Sequence, residues 1–243
     1  MLSSIDLITE SYNFYRKNTK PLFGLVLIFG MIIFLEAMAS SILVDISVTD
    51  WQGFALSFLL GLPFSLLALL VSIALILAVR DLAEEKRVNL KNIFLAGARK
   101  FFPSLTASIV VVTASALGFI LLIIPGIYIW VVLAFTLYFV ILEDQRVREA
   151  IGSSRELVKG RFSATLARLF LPNLFWIFTA WLILRIVDGL LNLPYLARLP
   201  DNSVNWNIGI NLISSILTAT VNALIMPLFT IVTYLLYKDL KES

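Results

Sequence analysis

The stretch Ile123-Ile124-Pro125-Gly126-Ile127 decides whether this chain folds around five apolar helices or six. It lies inside Ser104 to Leu142, a segment without a single charged residue. Read as one helix, that segment would run roughly 58 Å at 1.5 Å per residue, about twice the thickness of bilayer hydrocarbon. Pro125 removes a backbone donor and Gly126 readily takes positive φ, so the pair suits a tight reversal. The segment therefore reads as a hairpin of two spans, 104–124 and 126–142.

Four further apolar runs have the roughly 20 residues a crossing needs: 22–44, 54–79, 169–191 and 208–237. The last is long enough to tilt or protrude. Apolar residues make up 60% of the chain and charged residues 14%, with mean hydropathy +0.94. A soluble domain carries about 25% charge and at most half apolar residues, so that class is excluded. The expected fold is all-α: a polytopic integral membrane protein, residues 1–243 forming one domain of six transmembrane helices in three hairpins.

Orientation follows from the basic residues, which are retained on the cytoplasmic side. Seventeen of the nineteen Lys and Arg fall before span one, between spans two and three, between spans four and five, or after span six. Only Arg185 and Arg198 remain for the other face. Both termini are therefore expected in the cytoplasm of a cell whose inner or plasma membrane holds the protein, with 45–53 outside. Trp51, Tyr128 and Trp130 then read as interfacial anchors near the outer boundary. The net charge of +3 is spread through juxtamembrane segments, which points to anionic lipid on the cytoplasmic face and not to nucleic acid.

The cytoplasmic segments are patterned. Val147, Ala150, Ile151, Ser154, Leu157, Val158 and Phe162 recur at three- and four-residue intervals, as expected of an amphipathic helix ending near Gly160. Leu90, Ile93, Phe94, Gly97 and Phe101 repeat the pattern before span three, and Ile5, Ile8, Tyr12 and Tyr15 before span one. Pro21 and Pro103 follow two of these helices at the entrance to a span. The chain reads as three units, each an interfacial helix followed by a hairpin, and a threefold repeat is compatible with this spacing. The amphipathic N-terminus is expected to be no cleavable signal peptide.

Catalytic chemistry has few parts to draw on. The chain has no Cys and no His, which removes disulfides, thiolate metal sites and the usual triads, and no metal or cofactor is expected. Glu143-Asp144 is the one acidic pair at a membrane boundary, and a solvated helix end accounts for it better than a carboxylate site does.

Inside the apolar runs, Asn207, Asn211, Ser214, Ser215, Thr218 and Asn222 fall on one stripe of span six roughly 22 Å long. Such a stripe either bonds neighbouring helices or lines a polar path. Glu36 lies about 21 Å into span one and Arg185 about 24 Å into span five, and Asp188 follows Arg185 by one helical turn. Matched depth and opposite charge lead to the expectation of a Glu36, Arg185, Asp188 cluster, either a structural ion pair or a substrate site. Ser104, Ser108, Ser115 and Gly118 form a small face suited to close helix packing.

The run Ile123-Ile124-Pro125-Gly126-Ile127-Tyr128, then Glu143, Glu149-Ala150-Ile151, Ser154, Leu157 and Gly160-Arg161-Phe162, resembles the signature of the glycerophosphoryl diester phosphodiesterase membrane domain. It is also similar to the YciC-like uncharacterised bacterial inner-membrane protein family. Asn89-Leu90-Lys91 leading to Phe102-Pro103, and Tyr15-Arg16-Lys17 leading to Pro21, fit the same pattern. The resemblance implies a six-helix module that is sometimes fused to a soluble phosphodiesterase domain. That enzyme's chemistry relies on histidines, which this chain lacks, and the spans leave no room here for a catalytic barrel. Two functions stay open: a non-catalytic module binding lipid or a partner protein, and a small-solute transporter or channel using the span-six stripe.

Overall fold

The computed structural model describes residues 2–45, 51–196 and 204–242. Among them the ordered elements are helices, and six are long and apolar enough to cross a membrane. In chain order the helices of the described residues are α1 (Ser4–Lys17), α2 (Thr19–Asp45), α3 (Trp51–Ala83), α4 (Leu90–Leu121), α5 (Ile123–Leu133), α6 (Thr136–Leu142), α7 (Val147–Val158), α8 (Phe162–Leu196) and α9 (Val204–Glu242), with α5 and α6 together making one of the six apolar segments and α1 and α7 making none. Two helices begin where the sequence supplies a side-chain cap. Ser3 and Asp6 form a reciprocal capping box on α1, and the Asn89 side chain accepts from the Asn92 amide at 3.4 Å to open α4.

The reversal before α5 differs in detail from the expected one. Leu122, extended at φ −163° and ψ 149°, makes the break, and Pro125 and Gly126 lie in the first turn of α5. A proline is tolerated there because first-turn amides have no intrahelical acceptor. Gly126 serves by its missing side chain, not by positive φ. A Cβ at that position would come within 2.5 Å of the Phe119 ring and 2.8 Å of the Phe119 amide nitrogen, and a Cβ at Gly118 within 2.9 Å of the Gly126 Cα. Farther along, Lys100 donates to the Ile141 carbonyl at 2.5 Å and pairs with Asp144 at 2.6 Å. Contacts at 118–126 and 100–141 together make α4 and α5–α6 antiparallel.

α4 also starts earlier than a bare span, because the amphipathic segment from Leu90 and the apolar run from Ser104 form one helix with Pro103 inside it. Ser104, Ser115 and Gly118 are buried on it, the fate expected of a small packing face.

By packing, the chain divides into two units. The first comprises Met1–Leu25, Leu69–Leu174 and Pro227–Ser243 and contains α1, α4, α5, α6 and α7 with segments of the longer helices. Its core includes Leu7, Leu22, Ile73, Leu77, Phe135, Ile141, Ile231 and Leu236, all under 2% exposed. The second comprises Val26–Ala68 and Phe175–Met226, segments of α2, α3, α8 and α9. There Gly30 lets α2 approach α9, since a Cβ would lie 3.2 Å from the Ala223 Cβ.

Of the amphipathic helices, α1 departs from the expected stripe and α7 buries part of it. On α1 the buried residues are Leu7 and Ser11, while Ile5 and Tyr12 of the apolar stripe are exposed. On α7 the buried residues are Ala150, Ser154 and Val158, and protein covers that face, so it does not depend on lipid.

Candidate intramembrane site and the α6–α7 clamp

Two constellations bring chemistry-bearing residues together. The first lies in the second unit, where α8 and α9 leave a cleft of about 250 Å³ lined by Trp181, Leu184, Arg185, Val187, Ser214, Leu217 and Thr218. The helical spacing that put Ser214 and Thr218 on one stripe thus faces them toward Arg185. The Arg185 guanidinium stands 5.7 Å from the centroid of the Trp181 ring, one turn back on the same helix, a cation–π arrangement that shields it in part. Asn222 turns inward on its own helix and donates to the Thr218 carbonyl at 2.9 Å. Ser215 is half-buried beside it. The Asp188, Asn207 and Asn211 side chains lie outside the described residues.

The expected Glu36–Arg185 ion pair is absent among the described residues. Glu36 of α2 sits next to α3, where its Oε1 is 3.9 Å from the position a Gly61 Cβ would take. Equal depth along two helices fixes level only. The rotation of each helix about its axis decides what a side chain meets, and here it turns Glu36 toward α3 and Arg185 toward α9.

The second constellation lies in the first unit, where the motif residues Pro125, Gly126, Glu143, Ala150, Ser154, Leu157, Gly160, Arg161 and Phe162 are spread along the α5–α6 segment, α7 and the start of α8. The helical ladder breaks at Ala134 and Phe135, between α5 and α6. Ser154 of α7, fully buried, accepts from the Phe135 amide at 3.3 Å and donates to the Val132 carbonyl at 2.6 Å. Its hydroxyl therefore serves both backbone groups exposed by the break. Ala150, one turn earlier and also fully buried, allows the approach. Glu149 accepts from the Arg146 amide at 3.4 Å and opens α7, and Gly160, at φ +76°, follows its end in the left-handed conformation that favours glycine. Phe162 packs on Tyr128 with ring centroids 5.2 Å apart.

Glu143 and Asp144 are held, not merely solvated. Glu143 accepts from the Tyr237 hydroxyl and from Lys241 at 2.7 Å, while Asp144 pairs with Lys100. Partial burial acts to raise the Glu143 pKa, but the hydrogen bonds from Lys241 and Tyr237 and the charge of Lys241 outweigh it and leave the carboxyl below its ordinary value. The Tyr237 ring meanwhile contacts Phe135, Tyr138 and Phe139. Arg168 pairs with Asp239 at 3.4 Å. Sequence reading did not find these links. The available signal was a serine placed on the apolar stripe of α7, where a polar atom needs a partner.

Among the described residues no group of His, Cys, Asp or Glu is placed to hold a metal ion.

No curated protein and no solved structure matches the chain. A family model, the membrane domain of glycerophosphoryl diester phosphodiesterase, matches residues 103–243, over half of the sequence. That stretch contains the α4–α5 reversal, Ser154, Gly160 and the α9 residues that hold Glu143. This multi-pass chain of six apolar helices belongs to the glycerophosphoryl diester phosphodiesterase membrane-domain family.

Proposed function

We propose that this chain is a non-catalytic membrane module that holds an anionic lipid headgroup in the α8–α9 cleft. One observation carries the reading: Arg185 lies in an apolar helix and faces Ser214 and Thr218 across a cleft. A charged side chain within hydrocarbon is costly and calls for a counter-charge, and guanidinium matches phosphate geometry with paired N–H donors. Lipid supplies that group from the surroundings. The absence of His and Cys from the sequence supports a binding role over hydrolysis. In this reading the protein sits in the cell membrane with its basic segments and termini in the cytoplasm, where anionic headgroups complement them, and a partner protein would approach from that side.

The test compares thermal stability in nanodiscs of phosphatidylcholine with and without phosphatidylglycerol. Anionic lipid is expected to stabilise the wild type more than Arg185→Gln, which keeps only the contribution of the basic segments. Equal stabilisation of both proteins would overturn the assignment. The transporter reading draws on the same Ser214 and Thr218, which line the cleft. It predicts that Thr218→Val abolishes solute flux in proteoliposomes while leaving lipid stabilisation intact.

A further inference from the structure

The α4–α6 hairpin makes two sets of contacts that an upright crossing cannot satisfy together. Glu143, just past the end of α6, is held by Tyr237 and Lys241 at the end of α9, and Arg168 of α8 pairs with Asp239 of the same helix end. Residue 143 and residue 168 are therefore level with one another. Tyr128 lies fifteen residues before Glu143, roughly 22 Å along a helix at 1.5 Å per residue. Were α5 and α6 upright beside α8, Tyr128 would be level with a residue about fifteen positions beyond Arg168. It packs instead on Phe162, six positions before Arg168. The mismatch of about 21 residues amounts to roughly 30 Å, more than the reach of the side chains involved. The hairpin axis must therefore cross the local α8 axis at a steep angle.

The charges of α7 give a second argument. α7 is docked along the hairpin through Ser154 on Val132 and Phe135, and the chain then reaches Tyr128 at Phe162. Its outward face carries Arg148, Glu149, Arg155 and Glu156, all exposed. On an upright hairpin the Ser154 contact would lie roughly 12 to 16 Å from Glu143, and Lys159 and Arg161 would lie near the level of Tyr128, roughly 22 Å in. Several charges would then enter hydrocarbon, where each is costly. An inclined hairpin leaves them all in water.

We propose that the α4–α6 hairpin lies obliquely in the leaflet on the basic side of the membrane. In this arrangement α7 covers its aqueous flank, and the tip Ile120–Ile124 is sunk among lipid acyl chains without reaching the opposite aqueous face. The occupant of this surface is the acyl region of the bilayer, for three reasons. Residues 102–142 contain no charge, the five tip residues are 67% to 81% exposed, and the flanking charges Lys100, Glu143 and Asp144 sit together at the other end of the hairpin. Tyr128 and Trp130 then belong to that leaflet and not to the outer boundary. The proposal is independent of the Arg185 cleft.

The Cys-free chain allows a direct test in native membranes. A short bifunctional thiol reagent should cross-link the double variant Tyr128→Cys, Phe162→Cys. The single variant Ile124→Cys should stay at background labelling with a membrane-impermeant maleimide applied to intact cells. A nitroxide at the same position should be more accessible to oxygen than to an aqueous nickel chelate. Labelling of position 124 from outside would overturn the proposal, as would preferential access by the nickel chelate or failure of the 128–162 cross-link to form.

Discussion

The Ser154 hydroxyl donates to the Val132 carbonyl at 2.6 Å, a bond that joins a charged amphipathic helix to the interior of an apolar one across 22 residues of sequence. Together with the bond from the Phe135 amide, it makes the break between α5 and α6 a satisfied junction. A stripe of apolar residues on α7 is therefore committed to protein, and the orientation of α7 follows that of the hairpin.

Ser154→Ala should remove both bonds and leave a buried amide and carbonyl without partners, a loss of about 1 to 3 kcal/mol. Ser154→Thr keeps the hydroxyl but adds a methyl group at a fully buried position, so it should lie between Ala and wild type or below both. Thermal unfolding in one detergent at one scan rate makes the comparison. An alanine variant as stable as the wild type would show that the junction does not need the hydroxyl.

Glu143 gives the fold a pH dependence of definite sign. Its pKa is lowered in the folded protein from the ordinary value of 4.5, so the unfolded chain takes up the proton first as pH falls. Its contribution is complete above the unfolded value and is lost as pH drops through the folded one. Glu143→Gln should therefore lower stability at pH 7 by about 1 to 2 kcal/mol and flatten the acid limb of the stability curve. A variant whose stability declines with acid as steeply as the wild type would exclude Glu143 as a source of that limb.

Six apolar helices were legible in the sequence because membrane insertion imposes length and hydropathy on every span, and Gly160 marked the end of α7 because few other residues adopt its backbone conformation. Part of the lining of the α8–α9 cleft was legible as well: helical periodicity placed Ser214 and Thr218 on one face, and depth singled out Arg185. What periodicity lacks is the rotation and tilt of one helix against another. That is why Glu36 and Arg185 were paired in error, and why Lys100 with Asp144, Arg168 with Asp239 and Tyr237 with Glu143 went unseen. The role of Gly126 was missed for a related reason, since clearance to Phe119 is a property of two helices and positive φ of one residue.

Because Glu36 and Arg185 do not pair, Glu36→Gln and Arg185→Gln should act independently on stability. Their effects in a double-mutant cycle should add to within about 0.5 kcal/mol. Thermal unfolding of the two single variants and the double variant supplies the cycle. A coupling of several times that size would mean that the two charges meet in the membrane.

Glycine substitutions separate close packing from helix propensity. Gly126→Ala puts a methyl group against the Phe119 ring and backbone and should cost about 1 to 3 kcal/mol, whereas Gly152 of α7 has nothing within 4 Å of an added Cβ. Gly152→Ala should be neutral or stabilise by up to about 1 kcal/mol through helix propensity. The pair is read in one thermal series. Equal effects at the two positions would mean that the α4–α5 approach is looser than the structure shows.

The last prediction concerns the side of the membrane to which the basic segments belong. Seventeen of nineteen Lys and Arg lie in segments that topology assigns to one face, and basic residues near span ends are retained in the cytoplasm. Lys91 at the start of α4 and Lys159 at the end of α7 belong to separate connections, so they test the assignment independently. Single variants Lys91→Cys and Lys159→Cys should resist an impermeant maleimide on intact cells and react once the membrane is permeabilised. Both are exposed in the fold, so resistance in intact cells reports the membrane barrier and not burial by protein. Reaction of both positions from outside would invert the whole topology and move the proposed anionic-lipid contact to the opposite leaflet. Reaction of one alone would mean that an odd number of crossings separates the two connections, which is incompatible with a hairpin of α4 and α6 whose two ends meet at Lys100 and Asp144.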